Sequence, residues 1–132
     1  MANQNDEVSV MLMMRSGSIR DGLLALLSSI KGISRIDFSD DPARSLQRVV
    51  TWQPNLAIVE GNGFGEEIWS MLPETKRKSP RTRFIWFAEN LPEMIKEVDF
   101  QIEAVIQQGV HPDDLVRLIE NLLQEAKEKK EM

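Results

Sequence analysis

The chain has 132 residues, 42% of them hydrophobic, a formal net charge of −5 and no cysteine. That length suits a single domain able to bury a core, and the missing thiols exclude disulfide frameworks and thiolate metal sites. The negative charge argues against nucleic acid as a direct partner, because phosphate contacts need a cationic face.

Met1 to Glu7 has neither the positive charge nor the apolar run of a secretory leader. No segment reaches the roughly 20 apolar residues that a membrane span needs. These features fit a cytoplasmic setting without a membrane partner. The chain reads as one unit over 1–132, with a polar lead at 1–6 and a charged helical extension at 124–132.

Val8 to Met14 is a nearly continuous apolar run, the pattern of a strand buried on both faces. Ser18 to Ile30 places Ile19, Leu23, Leu26, Leu27 and Ile30 on one helical face. Gly32 ends that helix, and Ile33 to Phe38 reads as a second strand. Asp40-Asp41-Pro42 then opens a helix running to about Thr51, with an acidic cap and proline in the first turn. Its inward face is expected to carry Ala43, Leu46, Val49 and Val50.

Asn55 to Val59 reads as a third strand, Gly61 to Gly65 as a turn, and Glu66 to Leu72 as a short helix with Ile68, Met71 and Leu72 inward. Lys76, Arg77, Lys78, Arg81 and Arg83 read as a solvated basic loop between helix and strand. Phe84 to Ala88 is a fourth strand, Leu91 to Val98 a brief helix, and Ala104 to Ile106 a fifth strand. His111-Pro112-Asp113-Asp114 opens the last helix, with its carboxylates at the positive end of the dipole. Leu115, Leu118, Ile119, Leu122 and Ala126 form its apolar stripe, and the charged run Glu125 to Lys130 extends it.

Strands alternating with helices imply an α/β fold: a doubly wound, five-stranded parallel sheet with helices on both faces, of the flavodoxin-like kind. In such sheets chemistry sits beyond the carboxyl ends of the strands, where the strand order reverses. The residues at those ends are Met14 and Arg15, Glu60, Ala88, and Gln107 and Gln108.

At these positions the sequence resembles the receiver domain of two-component response regulators over roughly Val8 to Leu123. The opening Val8-to-Arg15 run with Ile19-Arg20-Asp21-Gly22-Leu23 is similar to that family's first strand, acidic pair and first helix. Pro54 to Glu60 is similar to its third strand, Ser79-Pro80 to Ala88 to the approach to its fourth, and His111 to Leu115 to the opening of its last helix.

The resemblance also shows where the chemistry departs. The acidic pair that holds Mg²⁺, a hard cation wanting oxygen ligands, is replaced by Met14 and Arg15. The phosphoacceptor aspartate is Glu60, the hydroxyl residue is Ala88, the lysine is Gln108, and the switching aromatic is Val105. The span from Ala88 to Gln108 is shorter than usual, so the helix before the fifth strand is expected to be shortened or irregular.

Phosphoryl transfer is mostly positioning and charge neutralisation. The resemblance therefore implies a pseudo-receiver, without enzymatic activity, metal or other cofactor, that binds a signalling or regulatory protein through its last helices and fifth strand. An ion pair between Arg15 and Glu60 would fill the place of the metal; the alternative leaves both side chains to solvent. The final helix offers a homodimer contact or a solubilising extension.

Two other functions remain open: the regulatory part of a transcription factor, and a small-ligand sensor or enzyme using the altered pocket. The glycines at 61, 63 and 65 lack the lysine or serine of a phosphate loop. His111 reads as a cap or surface residue, the three tryptophans as packing anchors, and the methionines of the first strand as core.

Overall fold

The computed structural model describes residues 8–88, 102–107 and 109–131. Five parallel strands, β1 (Val8–Met13), β2 (Ile33–Ser39), β3 (Leu56–Glu60), β4 (Arg83–Ala88) and β5 (Ala104–Gln107), form one sheet in the order β2-β1-β3-β4-β5. The helices described are α1 (Ser18–Ser28), α2 (Pro42–Trp52), α3 (Gly61–Lys78) and α4 (Pro112–Glu131). This is the doubly wound α/β architecture expected from the alternation of elements.

The apolar run of β1 follows from its central place. Val10, Leu12 and Met14 pack with Leu23 and Leu27 of α1 and with Leu115, Ile119 and Leu122 of α4. Met11 and Met13 pack on the opposite face with Leu46 and Val49 of α2 and with Ile68 and Leu72 of α3. Alternate residues of one strand thus feed two cores, as a pleat with a period of two requires.

Local chemistry sets the helix ends. Asp41 caps α2 by accepting from the Arg44 N–H at 2.9 Å, with Pro42 in the first turn. At its other end Gln53 takes a left-handed conformation, φ 54°, before Pro54. His111 Nδ1 accepts from the Asp113 N–H at 3.1 Å and so caps the start of α4.

Several expectations are corrected. Gly61 to Gly65 is not a turn: α3 begins directly after β3 and runs 18 residues, through Pro73, to Lys78. Lys76, Arg77 and Lys78 therefore lie in its last turn, where cations face the negative end of the dipole. Arg83 lies in β4, which leaves Arg81 as the loop member of that basic set.

Met71 is 41% exposed, because the buried stripe of α3 runs Ile68, Leu72, Thr75. Ala43 is exposed for a related reason: Ser45, Leu46 and Val49 form the inward face of α2. The regular turns of α1 end at Ser28, and Ile30 is buried from the connection that follows. The helix expected at Leu91 to Val98 lies outside the described residues.

Candidate functional site

The carboxyl ends of the strands meet where the strand order reverses, between β1 and β3. Register pairs Met13 with Val59, Glu60 with Phe87, and Ala88 with Gln107. The sheet thus brings the residues following β1 to the ends of β3, β4 and β5, along one edge. Gln107 is exposed at the end of β5, and Ala88 ends β4. Val105 is half-buried and packs on the core beneath α2 and α3. Gln108, expected from the resemblance at the lysine position, lies outside the described residues.

Arg15 and Glu60 are in direct contact. The backbone N–H of Arg15 donates to Glu60 Oε1 at 2.9 Å, the guanidinium Nε donates to the same oxygen at 3.5 Å, and Nη2 lies 3.2 Å from Oε2. The Glu60 side chain is 13% exposed and that of Arg15 is 62% exposed. A carboxylate at the rim of the core is thus covered by a cation that reaches in from solvent. Its Coulomb energy is modest in that setting, on the order of 1 kcal/mol, and its effect is geometric: both carboxylate oxygens are engaged within the chain.

Met14 contributes nothing polar. It is fully buried in the core beneath α1 and α4, and its N–H donates to the Ser39 carbonyl at 3.1 Å. The residues at the tips of β1 and β3 therefore do not fit a divalent cation. Oxygen-seeking Mg²⁺ would meet a guanidinium in place of a second carboxylate, and a carboxylate already bound to that guanidinium.

Two features of this edge were not read from the sequence. One is the Arg15 backbone N–H as a donor to Glu60, which depends on how the chain leaves β1. The other is Gly109, whose φ of 96° lets the chain turn after β5, with the Val110 N–H donating to the Gln107 carbonyl at 3.2 Å. A lone glycine between the end of an apolar run and a helix opening was the available signal for it.

No family model matches the sequence, and no curated protein does. Solved structures do resemble the fold. A CheY-like response regulator receiver domain from Methanospirillum hungatei superposes with a TM-score of 0.77 at 17% identity, covering 93% of this chain and 98% of that one. NtrX from Brucella abortus, solved with ADP, gives 0.77 at 17% identity over 95% of this chain and 28% of its own. A protein of Burkholderia pseudomallei described as pilus assembly-related gives 0.75 at 10% identity, over 90% of this chain and 91% of that one. With the same strand order and layered helices, the chain has the flavodoxin-like fold of CheY-like receiver domains.

Proposed function

We propose that this domain is a pseudo-receiver: a module for protein–protein recognition in signalling that does not take up phosphate. The observation that carries the reading is the engagement of Glu60 by Arg15 through both the backbone N–H and the guanidinium. Transfer to a carboxylate needs a free attacking oxygen and cations on the incoming phosphoryl group. At this site the oxygens are held and the carboxylate's neighbour after β1 is an arginine. The same contact fixes the tips of β1 and β3 relative to each other without a metal.

Incubation with a small acyl phosphate and Mg²⁺, followed by intact mass measurement, tests the chemistry. The expected result is an unmodified chain, and a stable phosphoryl adduct on Glu60 overturns the reading. Arg15→Ala tests the fixed geometry through affinity for a partner captured from the cell of origin, with weaker binding expected.

A second reading, the regulatory part of a larger regulator, draws on NtrX, in which the matching portion occupies 28% of the chain. It is separated from the first by whether the natural coding sequence continues into a DNA-binding domain.

A further inference from the structure

The outer edge of β2 pairs with no other strand among the described residues: β2 is terminal in the sheet and bonded to β1 alone. Such an edge presents backbone donors and acceptors and is a template for another strand; of these the Phe38 N–H donates to Asp37 Oδ1 of its own chain at 2.8 Å and would exchange that partner on pairing. We propose that β2 pairs with β2 of a second copy of this chain, antiparallel about a two-fold axis at Ile36, joining two sheets into one.

The charges select that register. Arg35 and Asp37 flank Ile36 on the same face of β2, the face toward α2, where Arg35 stacks on Trp52 (4.4 Å from guanidinium carbon to ring centre) and Asp37 pairs with Arg48. Antiparallel edge pairing by a two-fold axis keeps each face on its own side, so the axis passes through a residue. Centred on Ile36, it sets each Arg35 opposite Asp37 of the other copy. Centred on Arg35 it opposes two arginines, and centred on Asp37 two aspartates, both unfavourable. Charged residues ordinarily protect an edge from pairing. Here their order leaves one complementary register.

Arg35 is suited to the role. Among the described residues no carboxylate of its own chain pairs with it, and its guanidinium lies over the Trp52 ring. In the dimer each Asp37 would lie between its own Arg48 and the second copy's Arg35. An open cleft of about 470 Å³ lined by Arg35, Gln47, Arg48, Thr51 and Trp52 adjoins this face. On the other face Phe38, 42% exposed beneath the Arg20 guanidinium, would gain cover. The register irregularity of β2 opposite Val8 and Ser9 ends its regular stretch at Arg35. The ladder is therefore short and the dimer one of modest affinity. Pairing through β2 does not depend on the state of Glu60.

Sedimentation of the full chain over a concentration series into the high micromolar range is the test. The wild type is expected to dimerise. Arg35→Asp sets aspartates opposite one another twice per dimer and is expected to weaken association about tenfold or more. The swap Arg35→Asp with Asp37→Arg restores it. Circular dichroism confirms that each variant is folded.

Because the chain has no cysteine, Ile36→Cys adds a direct probe. Opposed residues across an antiparallel pair lie about 4.5–5.5 Å apart at Cα, within disulfide reach. Ile36→Cys is expected to crosslink on mild oxidation. Ser34→Cys is not, since two copies of Ser34 would be about 13 Å apart at ~3.3 Å per residue. A wild type that stays monomeric throughout the series, an Arg35→Asp variant that dimerises unchanged, or equal crosslinking at positions 34 and 36 overturns the proposal.

Discussion

The backbone of Gly61 lies so close to the indole of Trp86 that a Cβ at position 61 would collide with Nε1 and sit 2.7 Å from Cε2. Trp86 is 3% exposed in the core beneath α2 and α3, so the indole has little room to retreat. A helix can begin immediately after Glu60 because the first helical residue has no side chain.

Gly61→Ala is therefore expected to destabilise the fold, although alanine is the better helix former by about 1 kcal/mol. Overpacking of about 1–3 kcal/mol outweighs that gain. A double-mutant cycle with Trp86→Leu, read by urea unfolding, should show a smaller cost for Gly61→Ala once the indole is gone. An equal cost in both backgrounds would remove the indole as the cause.

At the strand tips, Arg15→Ala should cost under about 1 kcal/mol, as suits a largely exposed cation. Glu60→Ala should cost more, because the Arg15 N–H also loses its acceptor. Arg15→Asp is expected to acquire a melting temperature that rises with Mg²⁺, since two facing carboxylates bind a cation and ligand binding stabilises the folded state. The wild type should show no such rise in thermal scans with and without the ion.

The short edge strand β5 is fastened by one side chain. Glu103 accepts from the Phe84 N–H at 2.5 Å and from Lys76 Nζ at 2.6 Å, and both partners of that ion pair are about four-fifths buried. Glu103→Ala should cost about 1–3 kcal/mol by removing the acceptor of the Phe84 N–H and leaving Lys76 Nζ with only the Thr82 carbonyl at 3.5 Å. Hydrogen exchange should quicken at Ala104–Gln107 ahead of β1 and β3. Uniform quickening over the whole sheet would contradict a local fastening.

His111→Ala removes the acceptor at the start of α4 and should lower stability by about 0.5–2 kcal/mol, whereas His111→Asp, a good capping residue, should preserve it. Chemical denaturation of the two variants side by side distinguishes the cap from a passive surface residue, for which both would match the wild type.

The strands were legible because burial on both faces leaves an unbroken apolar run, as at Met11, Leu12 and Met13. α3 was not. Glycines at 61, 63 and 65 and proline at 73 carry the local signals of turn and stop. At 61, however, glycine answers a tertiary demand, the nearness of Trp86, that no local window contains. Met71 and Ala43 show a related limit: an apolar residue at the margin of a helical stripe is placed in or out by a small rotation about the axis.

At the candidate site, the identities of Met14, Arg15, Glu60 and Ala88 were readable because each follows or ends an apolar run. The backbone donation from Arg15 to Glu60 was not, since it depends on the path of the main chain after β1.

β1, the first of the described strands, lies inside the sheet, bonded to β2 along Val8–Met13 and to β3 along Val10–Met13. During synthesis it emerges before either neighbour exists. Its second border closes only after residue 59 has been made, so the backbone donors and acceptors of residues 10–13 that face β3 wait longer for their partners than those of any other described strand. The same arrangement makes one added residue within β1 doubly harmful, exchanging the two cores along both of its borders at once.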